Sequence, residues 1–218
     1  MSRWTIASRS AAVDAILSRA PVLPVLAIER IDDALPLARA LIDNGLPVLE
    51  ITLRSAIAVQ AIALLVRELP EAVIGAGTVL DAHQLGQVVA AGAAFAIAPG
   101  CTPRLYAASN DATVPFIPAV ATASELMLGL EHGHRRFKFF PAAYAGGIGA
   151  LKSFAGPFAD VRFCPTGGID AASAAQYLAL PNVVTVGGSW MAPAGLVNSG
   201  DWDAIGALAA ACGKLRGG

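Results

Sequence analysis

The chain has 218 residues, of which 56% are hydrophobic and 14% charged, and its formal net charge at pH 7 is -1. That length suits one domain over residues 1–218 with a large buried core. No basic block or aromatic-interleaved basic stripe offers the footprint of a nucleic-acid partner, and every apolar run is broken well before membrane-spanning length, so no membrane partner is expected either.

The N-terminal stretch "MSRWTIASRSAAVDAILSRAP" lacks a continuous apolar signal core and reads as an amphipathic helix, which points to the cytoplasm. Eight short apolar, β-branched runs follow, at 22–28, 48–53, 72–77, 94–100, 114–120, 136–141, 161–168 and 183–189. Between them lie Ala/Leu-rich stretches of helical period. Examples are "SAIAVQAIALLVREL" at 55–69 and "DAHQLGQVVAAG" at 81–92, the latter with Asp81 set to cap its start and Gly92 its end. Thr122 and Glu125 have the spacing of a capping box. Alternating strand and helix units with no long linker predict an α/β fold of parallel strands joined by crossover helices, closed most economically as a (β/α)8 TIM barrel with an extra N-terminal helix. An open doubly wound sheet is the alternative. Its usual G-x-G-x-x-G turn is missing, since the first strand runs into "IERIDDA".

In a barrel, active-site residues sit at the C-terminal ends of the strands, which here carry Glu50 and Arg54, Thr78, Pro99, Lys138, Thr166-Gly167-Gly168 and Gly187-Gly188-Ser189. Side chains alternate along a strand, so Val48, Glu50, Thr52 and Arg54 share the inward face of the second strand. An inward Glu–Arg pair that only fills the barrel would also satisfy this pattern. The same parity in "RRFKFFPAA" turns Arg136, Lys138 and Phe140 inward and Phe137 and Phe139 toward the helices. Apolar surroundings disfavour a charged amine, and a neutral amine is what attacks a carbonyl carbon, so Lys138 is a candidate Schiff-base nucleophile. A lysine snorkelling from the strand end, or held in a structural pair with Glu50, is the competing reading. The only other lysines, Lys152 and Lys214, lie in helical or terminal segments.

The glycine pairs in "PTGGI" and "VGGSW" follow the last two strands, where bare backbone amides can approach phosphate oxygens and Thr166 and Ser189 add hydroxyl donors. His132 and His134 form an H-x-H just before the sixth strand, at the end of the barrel opposite the active face and without a third ligand, so no metal is expected. His83 sits in a helical stretch. Cys101, Cys164 and Cys212 are too widely spaced for a disulfide framework or a zinc site and read as reduced thiols.

Taken together, "VLEITLR", "GAGTVL", "SELMLG", "FKFFPA", "RFCPTGGI" and "GGSW" resemble the bacterial 2-dehydro-3-deoxy-6-phosphogluconate (KDPG) aldolases, class I lyases of the Entner–Doudoroff pathway. The likeness runs from about Pro21 to Pro193. It implies a homotrimeric (β/α)8 barrel without metal or cofactor, whose partners are a phosphorylated 2-keto acid and pyruvate. It further implies Lys138 as the imine-forming amine and Glu50 as the general acid/base. Arg54 and Thr78 would hold the pyruvate carboxylate beside Pro99 and Phe140, with Thr166, Gly167, Gly168, Gly188 and Ser189 at the phosphate end. The sequence departs from the family pattern at "AYAGG" and at Ala119 and Ala121, on the pocket rim. Two other readings share this motif set: a 4-hydroxy-2-oxoglutarate aldolase, which needs a carboxylate site in place of the phosphate site, and a catalytically silent barrel acting as a binding module.

Overall fold

The computed structural model of the protein describes residues 3–216. Helix α1 (Ile6–Leu17) is capped by Thr5 and Ser8 in a reciprocal box. Strands and helices then alternate as β1 (Val22–Leu26), α2 (Ile31–Ile42), β2 (Val48–Thr52), α3 (Ala58–Glu68), β3 (Val73–Gly77), α4 (Ala82–Ala90), β4 (Ala96–Ile97), α5 (Pro103–Asp111), β5 (Phe116–Ile117) and β6 (Ala119–Val120). The chain continues through α6 (Ala123–Glu131), β7 (Arg136–Phe139), α7 (Gly147–Ala155), β8 (Arg162–Pro165), α8 (Ala171–Leu178), β9 (Val186–Gly188), α9 (Ala194–Ser199) and α10 (Trp202–Gly213).

The result is an α/β fold of two curled sheets whose paired strands are all parallel, one in the order β5-β4-β3-β2-β1-β9 and one in the order β6-β7-β8. The run 114–120, expected as one strand, is divided between the sheets by Pro118, which has no N–H to give to a ladder. On one side the Ile117 carbonyl accepts from Ala98 N at 3.1 Å; on the other the Pro118 carbonyl accepts from Lys138 N at 2.9 Å. Single bridging pairs join Phe163 of β8 to Val183, ahead of β9, and Thr166, just past β8, to Gly187 of β9.

Period-2 alternation sorts the strand residues as expected. Leu49, Ile51, Phe137 and Phe139 join the large cluster beneath the helices, while Leu23, Val48, Phe95, Ile97, Ile117 and Cys164 form an inner one. Burying such a side chain is worth about 1.5–3 kcal/mol, so both faces of the sheets contribute to stability. The buried residues of α1, Arg9, Val13 and Leu17, recur every four positions and form one stripe. Val13 and Leu17 pack on the inner cluster, so α1 closes the N-terminal end of the strands.

The expected caps are present. Asp81 Oδ1 accepts from Gln84 N at 2.8 Å, and Gly92, just past α4, has φ +87°. Glu125 Oε2 accepts from Thr122 N at 2.9 Å while Thr122 Oγ1 accepts from Glu125 N at 3.3 Å. No described helix is long and apolar enough to cross a membrane.

Candidate active site

Strands β2 and β7 each direct one ionisable side chain into the same interior space. Lys138 Nζ donates to Glu50 Oε1 at 2.9 Å across 88 residues of sequence. The Glu50 side chain is fully buried and that of Lys138 is 6% exposed. A buried pair of this kind holds only because each charge meets the other, and removing one partner typically costs about 3–5 kcal/mol. The ammonium also lies 5.5 Å from the centroid of the Phe140 ring. Glu50 Oε2 is buried with no hydrogen-bond partner among the described residues. Arg54, just beyond the end of β2, enters none of the ion pairs among those residues. Of the two pairings that strand parity allowed for Glu50, the fold forms the one with Lys138.

A cavity of about 350 Å3 gathers every residue to which the family resemblance gives a site role: Glu50 and Lys138, then Arg54, Thr78, Pro99 and Phe140, then Thr166, Gly167, Gly168, Gly188 and Ser189. Val25, Thr52 and Ile169 complete its lining. Thr52 was visible by parity. Val25 was passed over, although it stands opposite Glu50 in the β1–β2 register. Its signal was the same alternation, applied to a side chain with no chemistry of its own. A second cavity of about 350 Å3 adjoins the first at Val25, Arg54 and Ser189 and extends along the segment after β1 past Ala27, Glu29 and Asp33. Sequence reasoning did not anticipate it.

The backbone around the cavity is unusual in two places. Thr78 has φ +59°, the one non-glycine residue in the left-handed region among those described. That conformation is costly for a β-branched side chain and persists only where the surroundings enforce it, most often at functional sites. Gly167 and Gly168 have φ +97° and +74°, and a Cβ at Gly168 would stand 2.6 Å from that of Ala143. The turn is tied to the loop after β7 by Ala142 N donating to Thr166 O at 2.8 Å and Ala143 N to Gly167 O at 3.0 Å. Bare backbone thus lines the cavity because nothing larger fits.

The opposite end of the strands is chemically different. Arg9 Nη1 lies 2.6 Å from His134 Nε2 and donates to His132 O at 3.0 Å, and Arg9 Nη2 donates to Asn110 Oδ1 at 2.7 Å. Burial, reinforced by the Arg9 charge, pushes the His134 imidazole down to about 2, so it stays neutral and accepts from the guanidinium. His132 stacks on Tyr106 with ring centroids 4.6 Å apart. The H-x-H is therefore occupied in packing, and no group of three metal-ligating side chains occurs among the described residues. Arg136 holds Asp14 through two hydrogen bonds of 2.6 and 2.7 Å. Cys164 is buried in the inner cluster, and burial raises its thiol to about 12.

Comparison with known proteins places these features in company. The aldolase family described as "KDPG and KHG aldolase" matches residues 13–208. A 2-dehydro-3-deoxy-phosphogluconate aldolase of Dickeya dadantii is 53% identical over 194 residues, covering 89% of this chain and 91% of that protein. The KDPG aldolase of Legionella pneumophila, solved with pyruvate captured as a covalent carbinolamine intermediate, superposes with a TM-score of 0.91 at 49% identity, over 92% of this chain and 97% of the other. The 2-keto-3-deoxy-6-phosphogluconate aldolase of Zymomonas mobilis, solved with 3-phosphoglycerate, gives 0.89 at 48% identity over 94% and 96%.

Proposed function

The chain belongs to the KDPG and KHG aldolase family, and from that premise we infer that it is a lyase of the class I, Schiff-base type, cleaving 2-dehydro-3-deoxy-6-phosphogluconate to pyruvate and D-glyceraldehyde 3-phosphate. The observation that carries the reading is the 2.9 Å contact between Lys138 Nζ and Glu50 Oε1 inside one cavity. Transfer of one proton along that contact yields a neutral amine beside a carboxylic acid, the pair needed to attack a carbonyl and expel water from the adduct. The carbinolamine in the Legionella relative is the first adduct of such an attack.

In the proposed cycle Lys138 adds to C2 of the 2-keto acid, and loss of water leaves an iminium. Glu50 takes the proton of the C4 hydroxyl, directly or through a water, and the C3–C4 bond breaks. Its electron pair passes to the iminium to give an enamine, and glyceraldehyde 3-phosphate leaves. The enamine is protonated at C3 by the same carboxyl group, and water hydrolyses the resulting iminium to pyruvate and free lysine. The iminium is the electron sink throughout, so the cycle calls for no metal. Arg54 and Thr78 hold the pyruvate carboxylate beside Pro99 and Phe140. The amides of Gly167, Gly168 and Gly188, with the hydroxyls of Thr166 and Ser189, hold the phosphate.

The fold assignment that accompanies this reading is a single-domain (β/α)8 barrel, with β5 and β6 counted as one strand and the Thr166–Gly187 bridge closing the ring. The resemblance extends it to a homotrimer, which sedimentation analysis tests. A second substrate has support from the same cavity. The distal donors, backbone amides and hydroxyls, are uncharged and suit a carboxylate as well as a phosphate, so 4-hydroxy-2-oxoglutarate is the alternative. Rates on the phosphorylated and unphosphorylated substrates separate the two. A silent barrel is ruled out as soon as pyruvate is released.

Borohydride reduction in the presence of pyruvate, followed by peptide mass analysis, tests the nucleophile: the adduct is expected on Lys138, and label on any other peptide, or none, overturns the assignment. Glu50→Gln is expected to retain trapping while turnover falls by about 10²–10⁴, the usual loss on removing a general acid/base. Near-normal turnover removes Glu50 from the mechanism.

A further inference from the structure

Strand β3 presents two glycines, Gly75 and Gly77, in a segment otherwise built of Val73, Ile74 and Ala76. Two positions apart, they share a face of the strand, and each is opposed by a different kind of neighbour. A Cβ built on Gly75 would fall within contact of the Phe95 ring, which is fully buried in the inner cluster. One built on Gly77 would lie 2.6 Å from Glu50 Cγ and 2.7 Å from Cδ, and closer still to Oε1. That oxygen is the atom that accepts from Lys138. The carboxylate therefore rests on bare backbone as it reaches across from β2 toward β7.

We propose that Gly77 is a positioning residue for the aldol chemistry: its missing side chain is what allows the Glu50 carboxylate to lie beside the Lys138 amine. This rests on the role given to Glu50 above. The two glycines differ in what a methyl group would displace. At Gly75 it meets a rigid ring enclosed in the core, and something in the packing must give. At Gly77 it meets Cγ, Cδ and Oε1 of Glu50, a side chain whose torsions can yield only by moving the carboxylate. Carbon–carbon contacts are optimal at about 3.5–4.0 Å, so the carboxyl end must retreat by roughly 1 Å. A displacement of that size at a reacting group costs about 10²-fold in rate.

The test compares Gly77→Ala, Gly75→Ala, Glu50→Asp and the double variant Gly77→Ala/Glu50→Asp by cleavage kcat and KM, borohydride trapping with pyruvate, and thermal unfolding. Gly77→Ala is expected to lose about 10²-fold in kcat with KM nearly unchanged and trapping retained. Gly75→Ala is expected to lower the melting temperature and leave kcat per folded molecule close to the parent's. Aspartate is one methylene shorter and vacates the contested space, so the double variant should cleave faster than the product of the two single losses predicts, the non-additivity of groups in contact. If Gly77→Ala does not fold but the double variant does, the clash is with Glu50 and the proposal stands. Full activity in Gly77→Ala, strictly multiplicative losses, or failure of both Gly77 variants to fold overturns it. Should Glu50→Gln itself turn over normally, the mechanistic reading fails instead, and the two failures are told apart by that variant alone.

Discussion

Arg136 and Lys138 sit two residues apart on the same face of β7, yet the two ends of the strand interior treat them oppositely. At the N-terminal end Arg136 is held by both oxygens of Asp14, and nearby Arg9 is held by His134, His132 and Asn110. At the C-terminal end Lys138 has one carboxylate contact, among the described residues Glu50 keeps a second oxygen unpaired and Arg54 enters no ion pair, and Thr78 is held in a left-handed conformation. The difference shows how one architecture separates stability from chemistry. Arginines with several hydrogen-bond partners hold α1 against the strands, whereas Lys138 has a single carboxylate partner, which on the proposed function leaves its amine for substrate.

Exchanging the two kinds of cation breaks the comparison most severely. Lys138→Arg keeps the charge but supplies a group that stays protonated and does not add to a carbonyl, so pyruvate release and the reducible adduct should both vanish. Arg136→Lys should leave cleavage close to that of the parent in the same coupled assay. If Lys138→Arg still turns over, the upper end has another nucleophile.

Acid probes the lower end. An imidazole in the unfolded chain takes up a proton near pH 6.5, whereas His134 in the folded protein resists until about 2. Its contribution to stability is therefore complete above about pH 6.5 and is lost progressively as the pH falls through that window, with a limiting slope of about 1.4 kcal/mol per pH unit. Urea midpoints recorded from pH 7 down to 5 should decline in the parent and flatten in His134→Gln, which keeps an acceptor for Arg9. Parallel curves would mean that His134 is not the titrating group.

A smaller effect is expected for Arg136→Met. Asp14 is partly exposed, so loss of its partner should cost about 1 kcal/mol in urea unfolding and leave kcat intact. A drop in kcat would show that the two ends are coupled after all. Smallest of all, Cys164 lies in the inner cluster, and its thiol is pushed up to about 12 by burial. Iodoacetamide at pH 8 should spare it in the folded protein and label it in urea. Labelling of the folded protein would reveal an opening between the two ends.

Much of this was legible in the sequence because the signals are local. Two-residue alternation turned Glu50 and Lys138 inward and Phe137 and Phe139 outward, and short spacings marked the caps at Asp81 and Thr122–Glu125. The motif set also identified the family. Other features were not legible because they depend on which distant segments meet. The sequence argued against a metal at the "H-x-H" of His132 and His134 but could not say what the pair does, because its partner Arg9 lies over 120 residues away. Pro118 looked like part of one strand until its neighbours on either side were known.

By itself, then, the sequence determined the alternation of strands and helices, the inward parity of Glu50 and Lys138, and the glycines that line the cavity, because each of these is set by residues within a turn or two of one another. Only the tertiary structure decided that Glu50 pairs with Lys138 rather than Arg54, that α1 closes the lower end with Arg9 bound to His134, His132 and Asn110, and that Gly77 leaves room for the carboxylate. Those contacts join separate elements, from neighbouring strands to segments over 120 residues apart, and strand order and stagger, which no local period encodes, determine which side chains arrive at the same point.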